Sequence, residues 1–586
     1  MRQRLANWSG EQLDRLRLLL ARPDALIQLA LLGLVTGLLA GTVIIAFRVA
    51  VEGAQEAFLP GGAAENYEML PLWLRLLLPA VGGLMIGWIF LLRSGGLYVL
   101  GVARVMERMA YHQGYISLRE FVLQFVGAAI AIASGHSVGR EGPHIFLGAA
   151  SGSLLGQYLT LPNNSIRTMV GCGTAAGIAA SFNTPLAGVI FALEVVMMEY
   201  TLASFTPVIL AAVSANAIAI GVLGSEPAFQ IPALQLGSFY ELPLLLLLGV
   251  AAGAVSATFI QLLQLLTQRV SKLPFWWRTT LAGVFVGLFG ALVPEVMGIG
   301  YDTVNSALLG QIGFGLLLIL VIAKLLATVA SVGMGVPGGM IGPVLFIGAM
   351  LGSLLGLLAR FVFPGADIDV GFYALLGMGA MMGASLQAPL AALTAMMELT
   401  YSPQIIMPGM LVIVVAGLTA SELFHKESIF VTMLKANGMD YDAHPVLQAL
   451  RRIGVASVMH KGFNRSKRLV SRAQAVALLS GEPEWLLIHE QQDPLALMPA
   501  VDLARHLQDP ERGEQEAGAD EIDLLKIPAH RSEVAPVPLQ ATLQEAMEVL
   551  DQGVAEALYV ERMTAPGIRR IYGVLTRESV ESAYRY

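Results

Sequence analysis

Glu141 is the residue whose setting most restricts what this chain can do. It lies in Gly139-Arg-Glu-Gly-Pro143, a turn of small residues followed by a long apolar stretch. An acid inside an apolar block is costly, and by default it marks function. Pro143 suits the first turn of a helix, because its missing N–H would be unpaired there anyway. The glycines leave the neighbouring backbone N–H groups uncovered by side chains. Such a helix start presents free donors and about half a positive charge. It is an anion site without a full cation, suited to an ion that must also leave. The Glu141 carboxylate can occupy a site of this kind and vacate it when protonated or displaced. The alternative is a capping acid paired with Arg140.

A second turn, Gly339-Met-Ile-Gly-Pro343, repeats the first at an offset of 200 residues (Gly139 to Gly339), with Ile341 where Glu141 stands. The match runs on without a gap: Phe146, Gly148 and Gly152-Ser-Leu-Leu-Gly156 recur as Phe346, Gly348 and Gly352-Ser-Leu-Leu-Gly356. Further on, Gly173, Pro185-Leu-Ala187 and Glu194 recur at an offset of 204 as Gly377, Pro389-Leu-Ala391 and Glu398. Chance likeness of apolar segments would share Leu and Ala, not Gly, Pro, Ser and Glu in register. Two related halves are therefore expected, over 25–223 and 241–423. Repeated halves with interrupted helices are the architecture of many transporters, with the binding site between the repeats. The alignment leaves open whether the halves run parallel or inverted.

The elements that must position these turns are membrane helices. Of the 586 residues 55% are hydrophobic and 13% charged, against about 25% charged in soluble proteins. Apolar stretches lie near 25–49, 72–93, 120–134, 144–160, 168–197 and 202–223, then near 241–267, 278–294, 313–332, 341–363, 370–400 and 403–423. Several fall short of the roughly 20 residues a spanning helix needs or are broken by Gly and Pro, so discontinuous, re-entrant helices are predicted. Residues 1–24 form a polar, amphipathic segment whose five arginines, Arg2 to Arg22, put the N-terminus in the cytoplasm. His425, Lys426 and Lys435 after the last span put the C-terminus there too, so an integral protein of the plasma (inner) membrane is expected. The single cysteine, Cys172, excludes an internal disulfide framework and a paired metal-thiolate site. No cofactor or metal is indicated. The net charge of −7 gives no reason to expect nucleic acid as a partner. A membrane-embedded enzyme or organic-solute transporter is a remote reading, since no zinc motif, Ser/His/Asp set or phosphate-cradling loop is present.

Ser137-Val-Gly-Arg-Glu-Gly-Pro143, Gly338-Gly-Met-Ile-Gly-Pro343 and Asn183-Thr-Pro-Leu-Ala-Gly-Val-Ile-Phe-Ala-Leu-Glu194 together resemble the CLC family of chloride channels and proton-coupled chloride antiporters, over about residues 25–435. The resemblance implies an all-α polytopic fold of inverted repeats with about eighteen mostly short helices, a homodimer, and one pore per subunit. It makes Glu141 the gating glutamate. The N–H groups of Met340 and Ile341 become chloride donors, and Gly139, Arg140 and Gly142 face the outer site. Three positions depart from the family pattern. Leu100 stands where a chloride-coordinating serine is expected, and Phe430 where a tyrosine hydroxyl is expected. Each lost hydrogen bond to the anion is worth about 1.5–3 kcal/mol. Val195 occupies the place of an internal proton-relaying glutamate and cannot ionise. This favours channel-like passive conduction gated by Glu141 and leaves a proton-coupled antiporter as the alternative. Fluoride-specific relatives alter the turn after the glutamate, whereas Gly142-Pro143 is regular here. Glu194 and Glu398 follow the same Pro-Leu-Ala helix start and are read as structural.

The tail resembles a divergent pair of CBS modules, at 445–511 and 528–586, a soluble α/β domain common in this family. Trp485-Leu-Leu-Ile-His489 reads as a strand and Pro499-Ala-Val-Asp-Leu503 as a helix start. The second module carries strands at Val537, Leu558 and Ile571. Thr576 is followed by Ser579 where nucleotide-binding modules carry Asp, which argues against adenine-nucleotide binding.

Overall fold

A computed structural model describes residues 17–20, 25–62, 65–93, 101–225, 229, 241–363, 368–400, 402–439, 441, 445–491, 493–508, 521–553, 555–565 and 568–583. Most of the amphipathic segment 1–24 and the position of Leu100 therefore lie outside the described residues. Two compact units are present. The first comprises Leu29–Leu159 and Ile166–Tyr441, and the second is built mainly on the chain after Tyr441.

The first unit is helical, and its element order carries the repeat. The first half contains α1 (Leu26–Phe58), α2 (Leu72–Arg93), α3 (Gly101–Tyr111), α4 (Leu118–Ala133), α5 (Glu141–Tyr158), α6 (Asn163–Phe182), α7 (Pro185–Phe191) and α8 (Leu202–Leu223). The second runs α9 (Leu242–Val270), α10 (Phe275–Leu292), α11 (Tyr301–Leu308), α12 (Phe314–Gly333), α13 (Ile341–Val362), α14 (Val370–Leu386), α15 (Pro389–Thr400) and α16 (Ile406–Leu418), and α17 (Ile429–Ala436) follows. Each helix of the first half thus has a counterpart in the second. Among the described residues eight helices are long and apolar enough to cross a membrane, including α1, α9 and α13. The remainder are shorter or less apolar, as the Gly and Pro interruptions require. The stretch 168–197 divides at Asn183, whose φ of 58° is left-handed, and α7 passes into a π-helical turn at Ala192–Met197.

Glycine sets the packing around the two helices that follow the repeated turns. A Cβ on Gly148 of α5 would overlap the carbonyl of Gly173 on α6, and a Cβ on Gly173 would overlap that of Gly148. Gly348 of α13 and Gly377 of α14 repeat the arrangement in the second half. Backbones in direct contact are how helices associate where lipid removes the hydrophobic drive.

The second unit carries a six-stranded sheet of order β1-β3-β4-β6-β7-β8, formed by β1 (Phe463–Lys467), β3 (Trp485–Glu490), β4 (Asp493–Pro499), β6 (Ser532–Pro538), β7 (Ala557–Ala565) and β8 (Ile568–Thr576). The short strands β2 (Leu469–Val470) and β5 (Ile522–Asp523) pair separately. Each half of the sheet has one parallel pair, β1 with β3 and β6 with β7, followed by an antiparallel partner. The helices following β1 and β6 open on the same device, a capping box at Ser471/Gln474 and at Thr542/Glu545. This is a β-α-β-β-α unit repeated, as expected of paired CBS modules. One assignment shifts: Leu450, Val455, Ala456 and Met459, which the sequence puts in the first module, pack into the second module's core with Leu558 and Leu575. The Thr576 and Ser579 hydroxyls bond each other and the N–H groups at the start of the last helix.

Substituting Gly173→Leu should destroy the α5–α6 contact and abolish a monodisperse, folded peak in size-exclusion chromatography of the detergent-solubilised protein. Gly221→Ala, where a Cβ meets nothing within 4 Å, should leave the melting temperature within about 2 °C, since surface changes of this kind stay within roughly 0.5 kcal/mol.

Candidate functional site

The two glycine turns meet. The Gly139 N–H donates to the Gly339 carbonyl at 2.8 Å and the Gly339 N–H donates back to Gly139 at 2.7 Å, an isolated antiparallel bridge. Reciprocal bonds between equivalent residues are what a two-fold relation between the halves produces. The bridge presses the N-termini of α5 and α13 together in the interior of the unit. Gly142 tolerates no side chain here: a Cβ would lie 2.6 Å from Gly339 Cα.

Glu141 opens α5 and is fully buried. Its carboxylate does not pair with Arg140. Oε2 accepts from the Gly342 N–H at 3.1 Å, on the first turn of α13. Oε1 accepts a hydrogen bond from the Tyr301 hydroxyl. The acid of one half therefore caps the helix of the other, which removes the Arg140 capping alternative. Arg140 instead reaches Glu52 at 3.2 Å and lies 5.3 Å from the Tyr301 ring centre.

Tyr301 is the site residue that sequence reasoning missed. It begins α11, and its ring packs 4.8 Å from Phe229 and 6.3 Å from Phe182, centre to centre. Two titratable side chains fix the loop that leads into it. Lys324, fully buried on α12, donates to the carbonyls of Val296, Gly298 and Ile299 at 3.1, 2.9 and 3.1 Å. Glu65 accepts from the N–H groups of Gly300 and Tyr301, both at 3.3 Å. Desolvation raises the Glu65 carboxyl above the ordinary carboxylate range, against the pull of Arg140. Gly298 and Gly300 have φ of 60° and 82°, which only glycine adopts freely. The available signal was Lys324 itself, a lone charge in an apolar span.

Beside the bridge, Gly101, Gly142, Met340, Ile341 and Phe430 line one cavity of about 60 Å³ together with Arg278 and Thr267. Met340 and Ile341 open α13, where the first N–H groups have no partner within the helix. Phe430 is buried, its ring 6.5 Å from Phe191. Gly101, the residue after Leu100, reaches this cavity. Val195 is buried in the π-helical turn and brings no ionisable group.

Glu194 and Glu398 cap each other's halves. Glu398 accepts from the Leu186 and Ala187 N–H groups at 2.8 and 2.7 Å, and Glu194 from those of Leu390 and Ala391 at 3.2 and 2.7 Å. Each acid thus satisfies the helix start that precedes its counterpart. His144 is buried edge-on against Phe47, with Nδ1 2.9 Å from the Ser181 hydroxyl. Cys172 is buried.

Comparisons with known proteins show the family. The family described as voltage gated chloride channel matches residues 82–421. A ClcB-like chloride channel protein of Ralstonia nicotianae is 35% identical over 61% of this chain and 85% of its own length. The H(+)/Cl(−) exchange transporter ClcA of Vibrio cholerae is 30% identical over 64% of this chain and 83% of its own. The crystal structure of a eukaryotic CLC transporter shares the fold with a TM-score of 0.61 and 19% identity, over 94% of this chain and 98% of that one.

Glu398→Ala should lower stability by about 3 kcal/mol, the low end for two hydrogen bonds to a charged acceptor. The expected readout is a melting temperature several degrees down, with Glu398→Gln falling between it and the wild type. Equal melting temperatures would show the cap to be idle.

Proposed function

Because the chain belongs to the CLC family of voltage-gated chloride channels, and so to the anion transporters of the membrane, we propose that it conducts chloride passively through a pore gated by Glu141. The observation that carries this reading is the Glu141 carboxylate seated on the α13 N-terminus. That place suits any small anion, and a protonated or displaced Glu141 would vacate it for chloride. The cavity beside the bridge, bounded by the starts of α13 and α3 and by Phe430, is the inner continuation of the path. With no hydroxyl on Phe430 or Leu100, the N–H groups of Met340 and Ile341 carry most of the coordination there. Val195 argues against a second internal proton carrier. The reading extends to a homodimer in the inner membrane with both termini cytoplasmic, on the arginine excess before α1.

One observation favours proton-coupled exchange as a second reading. The Tyr301 hydroxyl can both donate and accept a proton, and it bonds Glu141 directly. A 30% identical relative is named as an exchanger.

Reversal potentials across a reconstituted bilayer separate the two. Passive conduction predicts reversal at the chloride equilibrium potential whatever the proton gradient, and a shift with the proton gradient would establish exchange instead. Glu141→Gln, which cannot titrate, should carry chloride with little dependence on pH between 4 and 8. A wild-type pH profile in that variant would remove Glu141 from the gate.

A further inference from the structure

A second cavity, of about 160 Å³, lies between α1, α6 and α8. On the same measure roughly 10–15 Å³ admits one water, so it has room for a small ion that keeps part of its hydration. Its polar lining comes from Arg48, Arg140, Ser181, Asn183 and Asn216.

The charged residues of this lining, Arg48 and Arg140, are both cations. Arg48 Nε meets Glu52 Oε1 at 2.6 Å, and Arg140 Nη1 meets the same oxygen at 3.2 Å. The two guanidinium groups thus share one carboxylate. Arg140 Nε is buried and makes no hydrogen bond. The other acids near Arg140, Glu141 and Glu65, act on its charge as Glu52 does but are not part of this lining, and their oxygens accept from backbone N–H groups elsewhere. The neutral donors agree. Asn216 Nδ2 donates to Asn183 Oδ1 at 2.8 Å, while the buried Asn216 Oδ1 has no partner. Turning both amides keeps that bond and replaces an unpaired acceptor by a donor, the arrangement an anion in the cavity selects. Guanidinium groups are weakly hydrated and suit partly buried anion contacts.

We infer that this cavity is a binding site for one small monovalent anion, halide or nitrate, held by Arg48 and Arg140 with the carboxamides of Asn183 and Asn216. The inference rests on the anion-transport reading above but concerns a different place. The site is made of side chains rather than helix N-termini, and Glu141 contributes nothing to it. Arg140 connects the two, being adjacent to Glu141 in the chain and packed on the ring whose hydroxyl holds the Glu141 carboxylate. An anion drawing Arg140 away from Glu52 would wait one side chain from the gate.

Anomalous scattering from crystals of the full chain grown in bromide tests this. The wild type should show a peak between Arg48 and Arg140, and a separate one at the Met340–Ile341 cavity. In Arg48→Gln the first peak should disappear and the second remain. Asn216→Asp, which puts a carboxylate into the wall with no change of size, should do the same and guards against misfolding of the arginine variant. In flux assays both variants should raise the half-saturating chloride concentration on the Arg48 side several-fold. A peak at Met340–Ile341 with none at Arg48 would overturn this site and leave the pore reading standing. An Arg48 peak that persists in both variants would also overturn it. Bromide at neither place would overturn both.

Discussion

The rest of the unit depends on two helix N-termini held against each other by the bridge between Gly139 and Gly339. Each terminus carries about half a positive charge, so together they present about one charge in a setting where water is scarce. Left alone, two such ends repel, and their N–H groups stay unsatisfied at a cost of about 1–3 kcal/mol each. One monovalent anion removes both penalties. Glu141 supplies it from within the chain by reaching across the bridge to Gly342. Chloride would supply it from outside. On the proposed reading the helix ends would accept either, and that equivalence would make a carboxylate suitable as a plug.

Several features exist to hold this junction. The paired glycines Gly148/Gly173 and Gly348/Gly377 let the helices behind each turn meet at backbone distance. Glu194 and Glu398 tie the halves together again by capping α15 and α7 reciprocally. Those two acids sit inside apolar sequence and could be taken for proton carriers, yet both carboxylates are committed to backbone N–H groups. Lys324 and Glu65 set the loop that presents Tyr301. The half that lacks an acid in its turn thereby contributes a hydroxyl to the acid of the other half.

The repeat, the discontinuous helices and the opposition of the two turns were legible in the sequence, because they are written in Gly, Pro and Glu at fixed offsets. The two-module tail was legible from its strand and helix order, although Leu450 to Met459 belong to the second module's core. The partner of Glu141 was not legible. Arg140 is its chain neighbour, but Gly342 and Tyr301 come from residues 201 and 160 positions away. Local pattern says that an acid at a helix start will find donors and cannot say whose. Tyr301 escaped for the same reason: a tyrosine after Gly298-Ile-Gly300 looks like an ordinary turn until Lys324 and Glu65 are seen to fix it. The loss of hydroxyls at Leu100 and Phe430 could be read only against a family pattern, and Leu100 lies outside the described residues.

Chloride binding measured by titration calorimetry, with the wild type and Glu141→Ala compared at neutral pH, bears most directly on the exchange of carboxylate for chloride at the α13 terminus. Removing the side chain should free that place, giving at least one further chloride per chain or affinity tighter by several-fold. Identical isotherms for the two proteins would mean that the Glu141 carboxylate does not occupy an anion site.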